Sequence, residues 1–82
     1  MWEITWPDGH VDRARDAEAL LTVVAADQWT RMDVTEVRRE LASRAMVWSD
    51  ARVDPTLPAA QFWRALADAG MLAITASTEA VA

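Results

Sequence analysis

The sequence predicts one α+β domain in the order β-β-α-α-α-β, and three observations carry that prediction. Apolar residues alternate at Trp2, Ile4 and Trp6 ahead of Pro7-Asp8-Gly9, the pattern of a hairpin. Three later segments repeat apolar residues at helical spacing. A short alternating stretch, Leu72 and Ile74, follows the glycine that closes the third of them.

In the first strand, Trp2, Ile4 and Trp6 share one face, and Glu3 and Thr5 share the other. Pro7 presets φ for the turn, Asp8 tolerates the next position, and Gly9 accepts the left-handed conformation of a bulged three-residue loop. The chain then returns antiparallel over His10 to about Arg13, with Val11 as the apolar residue expected to point inward.

Asp16 is the expected N-cap of a helix from Ala17 to about Gln28, buried along Ala17, Leu20, Leu21, Val24 and Ala25. The run "LLTVV" also fits a buried strand, but the cap and the length of the pattern favour helix.

Asp33-Val34-Thr35-Glu36 reads as a capping box, with Met32 and Val37 placed for a hydrophobic staple. The helix it opens carries Val34, Val37, Leu41, Ala45 and Trp48 on one face. On the other, Glu36 repels Glu40 and Glu40 attracts Arg44.

A polar connection, "SDARVDPT", leads to a third helix from about Pro58, buried along Phe62, Leu66 and Ala69 and widened by Trp63. Gly70 is placed to end it in a Schellman motif, with Leu66 and Met71 in contact. The expected assembly is a three-stranded sheet with helices on one face over residues 1–76, followed by a loosely held tail, 77–82.

Composition bounds the function. The chain has 82 residues, no cysteine, a net charge of −5 and five tryptophans. A core this small without disulfides or thiolate metal sites rests on its aromatics, each removing about 150–250 Å² from water when buried. The basic residues are all arginine, which agrees with a GC-rich coding bias. No apolar run is long enough to span a membrane, and no basic region followed by an apolar one opens the chain. The expected location is therefore the cytoplasm or an assembled particle.

Asp8, His10 and Asp12 are the one cluster with metal-like composition. Asp8 is already explained by the turn, and a single imidazole with carboxylates expected in water does not fix a transition metal. Catalysis lacks a cysteine nucleophile and a lysine for a Schiff base. The two glycines serve a turn and a cap, so no phosphate-cradling loop exists. Ser43, Ser49 and Ser77 lie in no nucleophile elbow with His10, and Asp50 with Asp54 is the nearest approach to a carboxylate pair. The sequence thus predicts a protein that is not an enzyme and that uses no cofactor and no metal.

Two binding readings remain. The first two helices and the "TRMD" between them resemble a helix-turn-helix pair, and Arg38, Arg39 and Arg44 would be its DNA contacts. Against this, Glu36 and Glu40 interleave with the arginines, and an acidic chain is repelled by phosphate. The favoured reading is contact with a protein partner through tryptophan beside arginine, the composition of interface hot spots. Trp29, Arg31, Arg52 and Trp63 are the expected interface residues, whereas Trp2, Trp6 and Trp48 are expected to complete the core.

At "WPDG", "ADQW", "RRELASRAMVWS", "VDPTLP" and "FWRALADAGML" the chain resembles small proteins of actinobacteria and their phages, a group with no established activity. The resemblance implies a phage-type accessory factor or a structural component of a particle, engaging a host protein, a phage protein or its own copies. It supplies no catalytic residues.

Overall fold

The computed structural model describes residues 1–27 and 33–77. The elements are β1 (Trp2–Thr5), β2 (Val11–Ala14), α1 (Ala17–Asp27), α2 (Val34–Ser49), α3 (Ala59–Asp68) and β3 (Ala73–Ala76). This is the α+β order that the sequence predicts. The sheet order is β2-β1-β3 with both pairings antiparallel, so β1 is the central strand.

The hairpin loop sets the register. Gly9 takes φ 92°; its N–H donates to the Trp6 carbonyl at 2.9 Å, and the Trp6 N–H donates to the His10 carbonyl at 2.8 Å. A loop closed between Trp6 and His10 makes Ile4 the partner of Asp12 and Trp2 the partner of Ala14. Cross-strand partners share a face.

The return strand is therefore turned over relative to expectation. Val11 is 42% exposed on the outer face, and Asp12, expected in water, is 5% exposed on the face of Ile4. Burial of that carboxylate is offset by donors. The Trp6 indole N–H donates to Asp12 Oδ2 at 2.7 Å, and His10 Nε2 lies 3.2 Å from Asp12 Oδ1. A buried carboxylate without such partners would cost several kcal/mol.

The outer face of the sheet is polar and internally paired. The Arg13 guanidinium donates to Glu3 Oε2 at 2.6 Å, and the Thr75 hydroxyl donates to Glu3 Oε1 at 2.8 Å. The Thr75 and Arg13 bonds hold the Glu3 carboxyl below its ordinary range.

Local signals place the helices. Asp16 Oδ1 accepts from the Ala19 N–H at 2.7 Å and starts α1, which buries Ala17, Leu20, Leu21, Val24 and Ala25. The capping box of α2 is complete: Glu36 N–H donates to Asp33 Oδ1 at 2.8 Å, and Asp33 N–H to Glu36 Oε1 at 3.2 Å. The proposed staple partner of Val37, Met32, lies outside the described residues.

Pro58 stands at the N-cap of α3. Met71 N–H donates to the Leu66 carbonyl at 3.1 Å and Gly70 N–H to the Ala67 carbonyl at 3.0 Å, the two bonds of a Schellman motif. Gly70 has φ 82°, the conformation that the motif needs.

The core lies between the helices and the inner sheet face. It gathers Trp2, Ile4, Leu20, Leu21, Val24, Val37, Leu41, Phe62, Trp63, Leu66, Met71 and Leu72. Phe62 and Trp63 are its largest ring pair, with centroids 5.9 Å apart and planes tilted by 59°, the offset geometry that aromatic rings prefer.

Candidate functional site

Trp63, expected at an interface, is 0% exposed. Its indole N–H donates to the Ala17 carbonyl at 3.0 Å, tying α3 to the first turn of α1. The widening of the α3 stripe that Trp63 provides is a buried one, so this residue offers no surface to a partner. Trp29 and Arg31 lie outside the described residues. Arg52 is exposed.

Among the described residues the exposed tryptophan is Trp48, which the sequence assigns to the core. It follows Leu41 by two turns of α2, within about 20° of the Leu41 direction on an ideal helix. Leu41 is buried, yet Trp48 is 71% exposed and Val47 beside it 74%. The stripe keeps its direction and loses its cover: at the last turn of α2 the Val47 and Trp48 side chains stand exposed. Met46 adds a third exposed apolar side chain.

That end of the helix is held in place. Asp50 leaves it in the left-handed region at φ 55°, where aspartate is tolerated better than most side chains. The Asp50 N–H donates to the Met46 carbonyl at 3.0 Å. The Ser49 hydroxyl donates to the Ala69 carbonyl at 2.7 Å, anchoring α2 to the C-cap of α3. Arg52 follows within four residues of Trp48. One turn before it, half-buried Arg44 pairs with Glu40 at 3.1 Å. A fixed backbone thus presents Met46, Val47 and Trp48, with Arg44 four residues before Trp48 and Arg52 four residues after it in sequence.

The three α2 arginines proposed as DNA contacts do not act together. Arg38 turns into the protein: its Nη1 donates to the Pro55 and Leu57 carbonyls at 3.0 and 2.6 Å. Its guanidinium carbon also lies 5.3 Å from the centroid of the Phe62 ring. That side chain holds the α2–α3 connection and is not presented to a groove. Arg39 is exposed, and Arg44 serves the pair with Glu40.

Asp8, His10 and Asp12 do not converge on a common point. Asp8 Oδ1 accepts from the His10 backbone N–H at 2.9 Å, closing its own turn. Asp12 faces Trp6 and the His10 ring. Among the described residues no group of three or more His, Cys, Asp or Glu side chains could hold a metal ion.

Asp54 binds the Thr56 hydroxyl at 2.6 Å and the Thr56 N–H at 2.8 Å, which lower its pKa and fix the loop before Pro58. Asp50 is the residue that ends α2, so the two carboxylates serve separate backbone features. Among the described residues no helix is long and apolar enough to cross a membrane.

Sequence reasoning missed Trp48 because its wheel position is that of a core residue. The available signal was the "SD" directly behind it, which ends the helix at that turn. Comparison with known proteins adds no relative: no family model, no curated protein and no solved structure matches this chain.

Proposed function

We propose that this chain is a non-catalytic protein–protein interaction module whose contact surface is the C-terminal end of α2. The observation that carries this reading is Trp48, 71% exposed on a backbone fixed by Ser49 and Asp50. Tryptophan on a rigid frame loses little conformational freedom on binding and supplies a large contact area. Arg52 and the Arg44–Glu40 pair supply the polar rim that surrounds such anchors. The specific form proposed, following the resemblance to actinobacterial and phage proteins, is a phage-type accessory or particle-associated protein.

The test pairs capture with stability. Wild-type protein immobilised against host lysate, followed by mass spectrometry, is compared with Trp48→Ala and Val47→Asp. Proteins retained by wild type and lost from both variants, at unchanged thermal midpoint, support the module and its surface. Retention of the same proteins by both variants overturns the assignment of the surface. Salt-sensitive retention of DNA that falls on Arg39→Ala would instead favour nucleic-acid binding.

A further inference from the structure

The hairpin turn contains the one Asp-Gly step of the sequence, Asp8-Gly9, in a chain without asparagine. Aspartate before glycine is the pairing most open to intramolecular cyclisation, because no side chain on the second residue shields its nitrogen from the first residue's carboxyl carbon. Both residues are exposed, and a Cβ built on Gly9 would meet nothing within 4 Å. Neither solvent access nor crowding protects this step.

Hydrogen bonding does. The Gly9 N–H donates to the Trp6 carbonyl at 2.9 Å, and Asp8 Oδ1 accepts from the His10 N–H at 2.9 Å. Nucleophile and electrophile are each committed to a different partner. Cyclisation requires the Gly9 nitrogen over the face of the Asp8 carboxyl carbon. Reaching that position turns the Asp8-Gly9 peptide plane, which breaks the bond to Trp6 and opens the loop that closes the hairpin.

We propose that Asp8-Gly9 is a latent isomerisation site that the folded hairpin keeps shut. In the opened loop the Gly9 nitrogen attacks Asp8 Cγ. A C–N bond forms, a carboxyl C–O bond breaks, and the oxygen leaves as water with the nitrogen's proton and the carboxyl proton. Water then opens the cyclic imide. Opening at the former side-chain carbonyl restores aspartate, whereas opening at the former backbone carbonyl leaves isoaspartate. The sequence of steps transfers no electrons and uses water alone.

The isoaspartyl product cannot rebuild the turn. Its main chain runs through Cβ and Cγ, one atom longer than before, and the carboxyl oxygen that bound the His10 N–H becomes part of the backbone. The pairing of Ile4 with Asp12, and the Trp6–Asp12 hydrogen bond beside it, depend on the original loop length. Modification therefore removes the hairpin in one direction, and the altered chain presents a free α-carboxylate of the class that isoaspartyl methyltransferases esterify. The inference is independent of the α2 surface.

Peptide mapping that separates aspartyl from isoaspartyl forms tests it, on the full chain aged at mildly acidic pH either folded or in denaturant. Isoaspartate at position 8 is expected to accumulate at least about tenfold more slowly in the folded protein, since reaction proceeds through the opened loop. Asp8→Glu, which would need a larger ring, is expected to form none at that position. Equal rates in the two states overturn the protection, and no isoaspartate in the denatured chain overturns the site. Modified protein returned to native buffer is expected to exchange its β2 amide hydrogens faster than unmodified protein treated alike. Equal exchange would overturn the loss of the turn.

Discussion

Trp63 and Trp48 lie on apolar stripes of neighbouring helices, yet one is 0% exposed and the other 71%. The difference is one of cover. α3 lies against both α1 and the sheet, so a ring on its inner side meets neighbours on several sides, including the Ala17 carbonyl. The last turn of α2 meets α3 through Ser49 and Ala69, and its indole side projects past the core. A helical wheel therefore gives direction, whereas burial also requires another element in that direction. In a domain this small, a single turn separates a core position from an exposed one.

Substitutions that exchange the two situations show how sharp the contrast is. Trp63→Ala removes a fully buried ring and orphans the Ala17 carbonyl, and is expected to cost about 3–5 kcal/mol or more. Denaturant titration reads this as a large fall in midpoint, and a midpoint near wild type would contradict the packing described.

Asp12→Ala comes next. It leaves the Trp6 indole N–H without its acceptor, at an expected cost of about 1–3 kcal/mol. The same titration checks it, with indole fluorescence reporting on the Trp6 environment.

A smaller effect follows from Glu3. Its folded pKa is depressed by Thr75 and Arg13, so its contribution is present above the ordinary value of 4.5 and is lost as pH falls through the folded value. The thermal-midpoint advantage of wild type over Glu3→Gln is expected to shrink below about pH 4.5 and to stay level above it. A gap that does not change with pH would remove the carboxylate network as its source. The smallest effect belongs to Trp48→Ala, expected to lie within about ±0.5 kcal/mol of wild type. A loss as large as that of Trp63→Ala would mean that the α2 end is covered within the molecule.

Where bonding is local, the sequence was explicit. Asp33 and Glu36, Asp16, Gly9 and Gly70 each announce a cap or turn whose partners lie within a few residues. The bulged loop even contained the answer to the β2 orientation, since opposing Trp6 by His10 makes Ile4 face Asp12. The apolar character of Val11 argued the other way, and loop geometry prevailed.

Three features depended on partners distant in sequence and could not be read locally. The half-buried Arg38 is held by the carbonyls of Pro55 and Leu57, Trp63 is tied to a carbonyl of another helix, and β1 is central because a remote strand joins it. Of the interface residues expected from sequence, Arg52 is exposed and Trp63 is not, and Trp48, assigned to the core, is exposed.

The position of β1 has a consequence in time. Thr5 and Thr75, bonded across β1 and β3, are seventy residues apart, with the whole helical layer between them. As the chain emerges during synthesis, the first hairpin forms early, but two strands alone are marginally stable. Ile4 must wait on an open strand side until α3 has docked and β3 arrives. The step that closes the sheet is thus the last loop closure and the entropically most demanding one. A nascent chain halted before Ala73 would carry that open strand side exposed, as a substrate for chaperones or for aggregation.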